Sequence, residues 1–222
     1  MNSQVGQIAM MFAETVYIID DDPSVRSALT NLVGSTGLHT HAYDSVDSFL
    51  QGKSTISAGC FLLDIRMPGL NGFEFLMKMT DLRLRLPVIL ITGHGDIPTT
   101  VRGMRAGAID FLAKPFREGE VLEAVSRAIG IDRERRADDA GRADITTRYD
   151  SLSRRERQVM ALVTAGKMNK QVAGDLGLSE ITVKVHRGTL MRKMGVRTLA
   201  DLVRLSEALG LFPSNLSTGC KV

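Results

Sequence analysis

The 222 residues include 44% hydrophobic and 24% charged side chains, an ordinary balance for a soluble globular protein and enough chain for one large domain or two small ones. The two cysteines, Cys60 and Cys220, form no CxxC pair and show no metal-ligand spacing, which argues against a disulfide framework and for a reducing compartment. The net charge of +3 is unevenly spread. Residues 15–130 hold 11 basic and 13 acidic side chains, net −2, whereas residues 151–222 hold 12 and 5, net +7, pointing to a polyanion at the C-terminal end.

Residues 1–14, MNSQVGQIAMMFAE, lack the basic region of a secretory signal and read as a loose leader. No apolar run approaches the length of a membrane span, so the expected location is the cytoplasm, without membrane contact. Strand patterns follow at TVYII (15–19), LHTHAY (38–43), CFLLD (60–64), PVILIT (87–92) and AIDFL (108–112). Between them, helical patterns cover 23–34, 45–51, 72–83 and 98–106, with a last one from 118 to about 134. Strict alternation of strand and helix predicts a doubly wound α/β fold on a five-stranded parallel sheet.

Residues 131–150 are dense in charges of both signs; their first part prolongs the last helix and the remainder reads as a linker. From Ser151 the periodicity is helical to about Leu211. Ser153 and Glu156 make a capping box, Gly166 closes the first helix, and Asn169 opens a short second one. Gly177 makes a turn, Ser179 caps a longer third helix to about Met194, and a final helix follows Thr198. That order predicts a small all-α domain with helix-turn-helix anatomy at 151–222.

In an open parallel sheet the functional groups gather at the carboxyl ends of the strands. Here those ends carry Asp20 and Asp21 after the first strand, Asp64 on the third, Thr92 on the fourth and Lys114 after the fifth. Asp22, before Pro23, reads as the cap of the first helix. Three carboxylates suit a divalent cation, while a lysine and a hydroxyl suit phosphoryl oxygens. A phosphatase with an aspartate nucleophile is the rival from another class, but its nucleophile would follow the first strand rather than the third. His94 reads as a loop residue near the site, and His39 and His41 as structural.

VYIIDDDPSVR, LLDIRMPGLNG, PVILITGHGD and AGAIDFLAKPF, in that order, resemble the receiver domain of a two-component response regulator, the last two blocks being close to the FixJ-like subfamily. The resemblance implies a flavodoxin-like fold. Asp64 is then the phosphoacceptor. Asp20, Asp21, Asp64 and the backbone carbonyl of Arg66 are the Mg²⁺ ligands, with Mn²⁺ able to substitute. Thr92, Phe111 and Lys114 are the phosphoryl-contacting and switch residues, and the Lys114–Pro115 bond is cis. The chain would be no enzyme beyond accepting a phosphoryl group from a sensor histidine kinase and slowly removing it.

Around the third helix of the tail, Val183, Leu190 and Met194 fall on the core side and Ile181, Lys184, Val185 and Gly188 on the opposite side. Lys184 and Val185 suit base edges; Thr182, His186 and Arg187 at the margins suit phosphates, as do Asn169 and Lys170. SRRERQV, MNKQVAGDLGLSEITVKVHR and GVRTLADLV resemble a LuxR-type DNA-binding domain. That resemblance implies binding of double-stranded promoter DNA in the role of an activator, contact with RNA polymerase, and, on phosphorylation, either a homodimer, with Leu199, Leu202 and Val203 of the last helix at the dimer contact, or a change of domain contacts that releases the DNA-binding domain.

Overall fold

In the computed structural model the described residues are 14–52, 56–93 and 97–211, and nothing is described for the side chains of residues 97–99. Residues 1–13 of the leader, His94 and Cys220 lie outside them. The described chain falls into two units that divide between Arg136 and Ala137.

The first unit contains β1 (Thr15–Ile19), α1 (Pro23–Gly34), β2 (His39–Tyr43), α2 (Val46–Gly52), β3 (Gly59–Asp64), α3 (Gly72–Lys78), β4 (Val88–Thr92), α4 (Ile97–Arg105) and β5 (Asp110–Ala113). The strands form one all-parallel sheet in the order β2-β1-β3-β4-β5. The expected doubly wound fold is therefore present, with its order reversing at β1 and β3, where such sheets place their sites.

Strand side chains alternate between two cores, which is why these runs are apolar throughout. Tyr17, Ile19, Phe61, Leu63 and Leu90 meet Phe49 of α2 and Phe75 and Leu76 of α3. Val16, Ile18, Cys60, Leu62, Ile89 and Ile91 meet Leu29 and Val33 of α1 and Val121, Val125 and Ile129 of α5 (Glu118–Asp150). In the first core, Phe61 and Phe75 each stand edge-on to Phe49, at centroid separations of 5.2 and 5.7 Å, an arrangement worth about 1 kcal/mol per pair beyond area burial.

Two helices differ from the sequence reading. The helical pattern of 72–83 ends at Lys78, because Leu84 and Leu86 are buried and the chain must turn to reach them. Arg83 takes the left-handed conformation (φ 56°) and the Leu84 N–H returns to the Met79 carbonyl. Conversely, α5 does not stop near Glu134 but stays helical to Asp150, through the stretch read as linker. Charges of opposite sign recur there at helical spacing, Arg135 with Asp132 and Arg148 with Asp144, and such pairs support an exposed helix.

The second unit contains α6 (Arg154–Thr164), α7 (Asn169–Leu176), α8 (Glu180–Met194) and α9 (Leu199–Ala208). The Ser153–Glu156 capping box is present, and Ser179 and Thr198 cap α8 and α9. Gly177 ends α7 in the left-handed conformation (φ 63°), a geometry that favours glycine. Val159, Met160, Val163, Val172, Val183, Leu190, Met194 and Leu202 form the core.

Candidate functional site

β1 and β3 lie side by side in register, Ile19 beside Leu63, so the residues that leave their carboxyl ends meet. Oxygens of Asp20, Asp21 and Asp64 all lie within 4.8 Å of one another. Asp20 and Asp64 are buried and Asp21 is exposed. At α3 the chain comes very close to this corner: a Cβ on Gly72 would stand 2.3 Å from the Asp64 carbonyl oxygen, so only glycine fits.

Lys114, from the loop after β5, is the counter-charge. Its ammonium donates to Asp20 Oδ2 and to Asp64 Oδ2, at 2.7 Å in each case. Burial pushes the Asp20 carboxyl above its usual range, although the Lys114 ammonium and the Asp22 N–H pull it down. For Lys114 itself burial opposes the charged form, and the bonds to Asp20 and Asp64 outweigh it, so the ammonium is held above its usual value. The Lys114–Pro115 bond is cis.

Thr92 ends β4 and is buried, and its carbonyl accepts from the Lys114 N–H at 2.7 Å. Phe111 is half-buried on β5 against the first core. Arg66 sits in the loop after β3, its N–H bonded to Asp64 Oδ1 at 3.1 Å. Asp22 is the helix cap, accepting from the Ser24 N–H at 2.8 Å, and that bond holds its carboxyl below the usual range. The structure thus brings Asp20, Asp21, Asp64 and Lys114 together, with Thr92 and Arg66 directly attached to that group through backbone bonds. The donors are hard carboxylate oxygens, a set suited to Mg²⁺ or a similar divalent cation.

Cys60 lies mid-strand on β3 and takes no part. Burial, then the charges of Asp132 and Glu14, push its thiol up to about 12, which keeps it protonated and unreactive.

In the helical unit, α8 turns the expected face outward. Ile181 is 75% exposed and Val185 62%, both unusual for large apolar side chains, and Lys184 and Gly188 are exposed beside them. Val183, Leu190 and Met194 are buried. Thr182 shares the Ser179 cap through its hydroxyl at 2.8 Å. His186 and Arg187 are half-buried, and Arg187 Nη1 donates to Asn169 Oδ1 at 3.1 Å, tying α8 to the start of α7; Lys170 is exposed.

A family model of the response regulator receiver domain matches residues 16–126, and one of the bacterial regulatory proteins of the luxR family matches residues 150–206. The chain belongs to the response-regulator family. It is 49% identical over 196 residues to Nodulation protein W of Bradyrhizobium diazoefficiens, covering 88% of this chain and 86% of that one. It is 42% identical over 202 residues to Transcriptional regulatory protein FixJ of Rhizobium meliloti, covering 90% and 98%. The solved response regulator StyR, 45% identical, aligns with a TM-score of 0.79 over 88% of this chain and 98% of its own. The chain accordingly joins a receiver to a LuxR-type DNA-binding domain, the make-up of a two-component transcriptional regulator.

One expectation fails on packing. Leu202 is fully buried in the core of its own domain, so it has no surface to offer a second copy; Leu199 and Val203 on the same helix keep partial exposure. The sequence reading also passed over Arg26, whose guanidinium donates to the Asp20 carbonyl at 2.7 Å. Its only signal was a basic residue one turn into the helix that follows the acidic trio.

Proposed function

We propose that Asp64 accepts a phosphoryl group from a sensor histidine kinase and that the modified receiver alters association and promoter binding, in the manner of an activator. The reading is carried by one observation: the buried Asp64 carboxylate stands with two other carboxylates within 4.8 Å and an ammonium at 2.7 Å. An Asp64 oxygen attacks phosphorus, the donor's P–N bond breaks, and the imidazole nitrogen leaves with the electron pair and takes up a proton. Asp20, Asp21, Asp64 and the Arg66 carbonyl would hold a magnesium ion, which would supply positive charge against the carboxylates and the phosphoryl oxygens. Lys114 offers its ammonium to the same oxygens as Asp64 ceases to be a free carboxylate.

The Thr92 hydroxyl then turns to the phosphoryl group and Phe111 moves into the space it leaves, a small two-state element biased by a local charge change. On the output side, the exposed Ile181–Lys184–Val185–Gly188 face of α8 enters the major groove, with Lys170, Thr182, His186 and Arg187 towards phosphates. Among the described residues no helix is long and apolar enough to cross a membrane, which accords with a regulator working beside its promoter in the cytoplasm.

The test is the molar mass of the purified chain by light scattering, with and without beryllofluoride and Mg²⁺, beside Asp64→Asn. A monomer-to-dimer shift that Asp64→Asn abolishes is expected. A mass unchanged by beryllofluoride in the wild type overturns association on phosphorylation, and a shift that survives Asp64→Asn overturns Asp64 as the acceptor.

A further inference from the structure

Asp21 is the exposed member of the acidic trio, and among the described residues no side chain or N–H is bonded to its carboxylate. Its direction is therefore set by its backbone. The two peptide groups that flank it are each clamped. The one after it presents the Asp22 N–H to Asp20 Oδ1 at 2.9 Å. The one before it presents the Asp20 carbonyl to Arg26 Nη1 at 2.7 Å.

Asp20 is itself held elsewhere, its N–H on the Tyr43 carbonyl at 3.2 Å and its Oδ2 on Lys114. The β1 ladder ends at Ile19, and the next carbonyl, on Asp20, accepts from a side chain reaching back from α1. A half-buried, charged donor on a partly buried carbonyl fixes a peptide plane firmly.

We infer that Arg26 is a positioning residue for the divalent cation: it orients the Asp20–Asp21 peptide, and through it the Asp21 carboxylate, without touching the ion. This rests on the metal-dependent reading above. The charge of Arg26 and its geometry act in opposite directions. A nearby positive charge repels a cation, so its removal alone tightens binding. Loss of an outer residue that orients a ligand weakens binding, typically by about 10- to 100-fold.

The sign of the change therefore decides. The full-length chain is titrated with Mn²⁺ by calorimetry, as wild type, Arg26→Met, Arg26→Lys and Asp21→Asn, with the thermal midpoint of each taken in EDTA. Arg26→Met is expected to bind at least about 10-fold more weakly despite losing a positive charge. Arg26→Lys keeps the charge but not the fork, and is expected to weaken binding about 3-fold or more. Arg26→Met binding as tightly as the wild type, or more tightly, overturns the inference. Should Arg26→Met not fold, Arg26→Lys decides alone, and unchanged affinity there overturns it. A merely structural role would lower the midpoint in EDTA and leave the affinity of the folded chain unmoved. Wild type that binds no Mn²⁺, or Asp21→Asn that binds as the wild type does, defeats the metal reading itself, a result distinct from failure of Arg26.

Discussion

Lys114 Nζ lies 2.7 Å from Asp64 Oδ2, across 50 residues of chain, and the same ammonium is 2.7 Å from Asp20 Oδ2. Two carboxylates that would otherwise repel each other are thus joined by one cation built into the fold. That cation competes for the same oxygens as any external one. Lys114→Met should therefore tighten Mg²⁺ binding several-fold and enlarge the rise of the thermal midpoint on adding Mg²⁺. Thermal unfolding of both proteins across a Mg²⁺ series checks it; an equal rise in the two would show that Lys114 does not shield the site. The direction is opposite to that expected for Arg26, since one residue neutralises the carboxylates and the other aims them.

At the opposite end of the sheet, Asp132 of α5 is buried, with its Oδ2 accepting from the Gly59 N–H at 3.0 Å and its Oδ1 paired with Arg135. Gly59 begins β3, whose other end is Asp64, so the helix that continues beyond the receiver is pinned to the strand that carries the acceptor. Asp132→Ala leaves the buried Gly59 N–H without its acceptor and takes one carboxylate from the partly exposed Arg135, and should lower receiver stability by about 2 kcal/mol. Asp132→Asn keeps an acceptor and should lose about half as much. Urea denaturation followed by circular dichroism separates the two variants; equal stability of all three proteins would remove the pin.

How much of this was legible depends on how local the cause is. β1 and α1 stand where their residues place them, because an apolar run closed by Asp22 and Pro23 leaves one cap and one start. The acidic trio and Lys114 were legible because strand ends in a parallel sheet converge whatever the loops do. The end of α3 was not, since the burial of Leu84 and Leu86 is decided by the sheet and not by periodicity. The α5 extension was misread for a related reason: a charged run looks like a linker until its charges are placed at helical spacing. Asp132 was hidden within that run, one buried carboxylate among exposed ones, and Leu202 was named for a partner by the family resemblance, which does not say which side of α9 packs into the domain's own core.

In the DNA-binding domain, the Glu156 carboxylate is buried, with Oε2 accepting from Lys193 Nζ at 2.8 Å and from the Ser153 N–H at 2.7 Å. Burial alone would raise its pKa, but Lys193 and Ser153 outweigh it and hold the carboxyl below the usual 4.5. A carboxyl lowered in the folded state stabilises at pH values above its unfolded pKa, and that contribution is lost as pH falls through the folded value. Lys193→Met should thus destabilise this domain by about 1–2 kcal/mol at neutral pH, less than for a wholly buried pair because Lys193 is partly exposed. The gap between variant and wild type should close as the pH is taken below 4.5. Thermal melts from pH 7 to pH 3 check the sign; a gap that widens towards low pH would rule out Glu156 as its source.

Gly188 sits in the middle of α8, on the exposed face with Ile181, Lys184 and Val185. A Cβ there would meet nothing within 4 Å, so packing within the domain does not require glycine. A glycine inside a helix is nevertheless unfavourable by about 1 kcal/mol against alanine. If the face lies in a DNA groove, the missing side chain gives room for close approach there. Gly188→Ala should then raise the thermal stability of the domain by up to about 1 kcal/mol while weakening DNA binding, a combination that loss of folding cannot produce. Melting curves and binding to double-stranded DNA at fixed salt, measured on the same preparation, test both halves. Stabilisation with unchanged affinity would mean that the helix does not come closest to DNA at this position, and that its contact lies nearer Ile181 and Lys184.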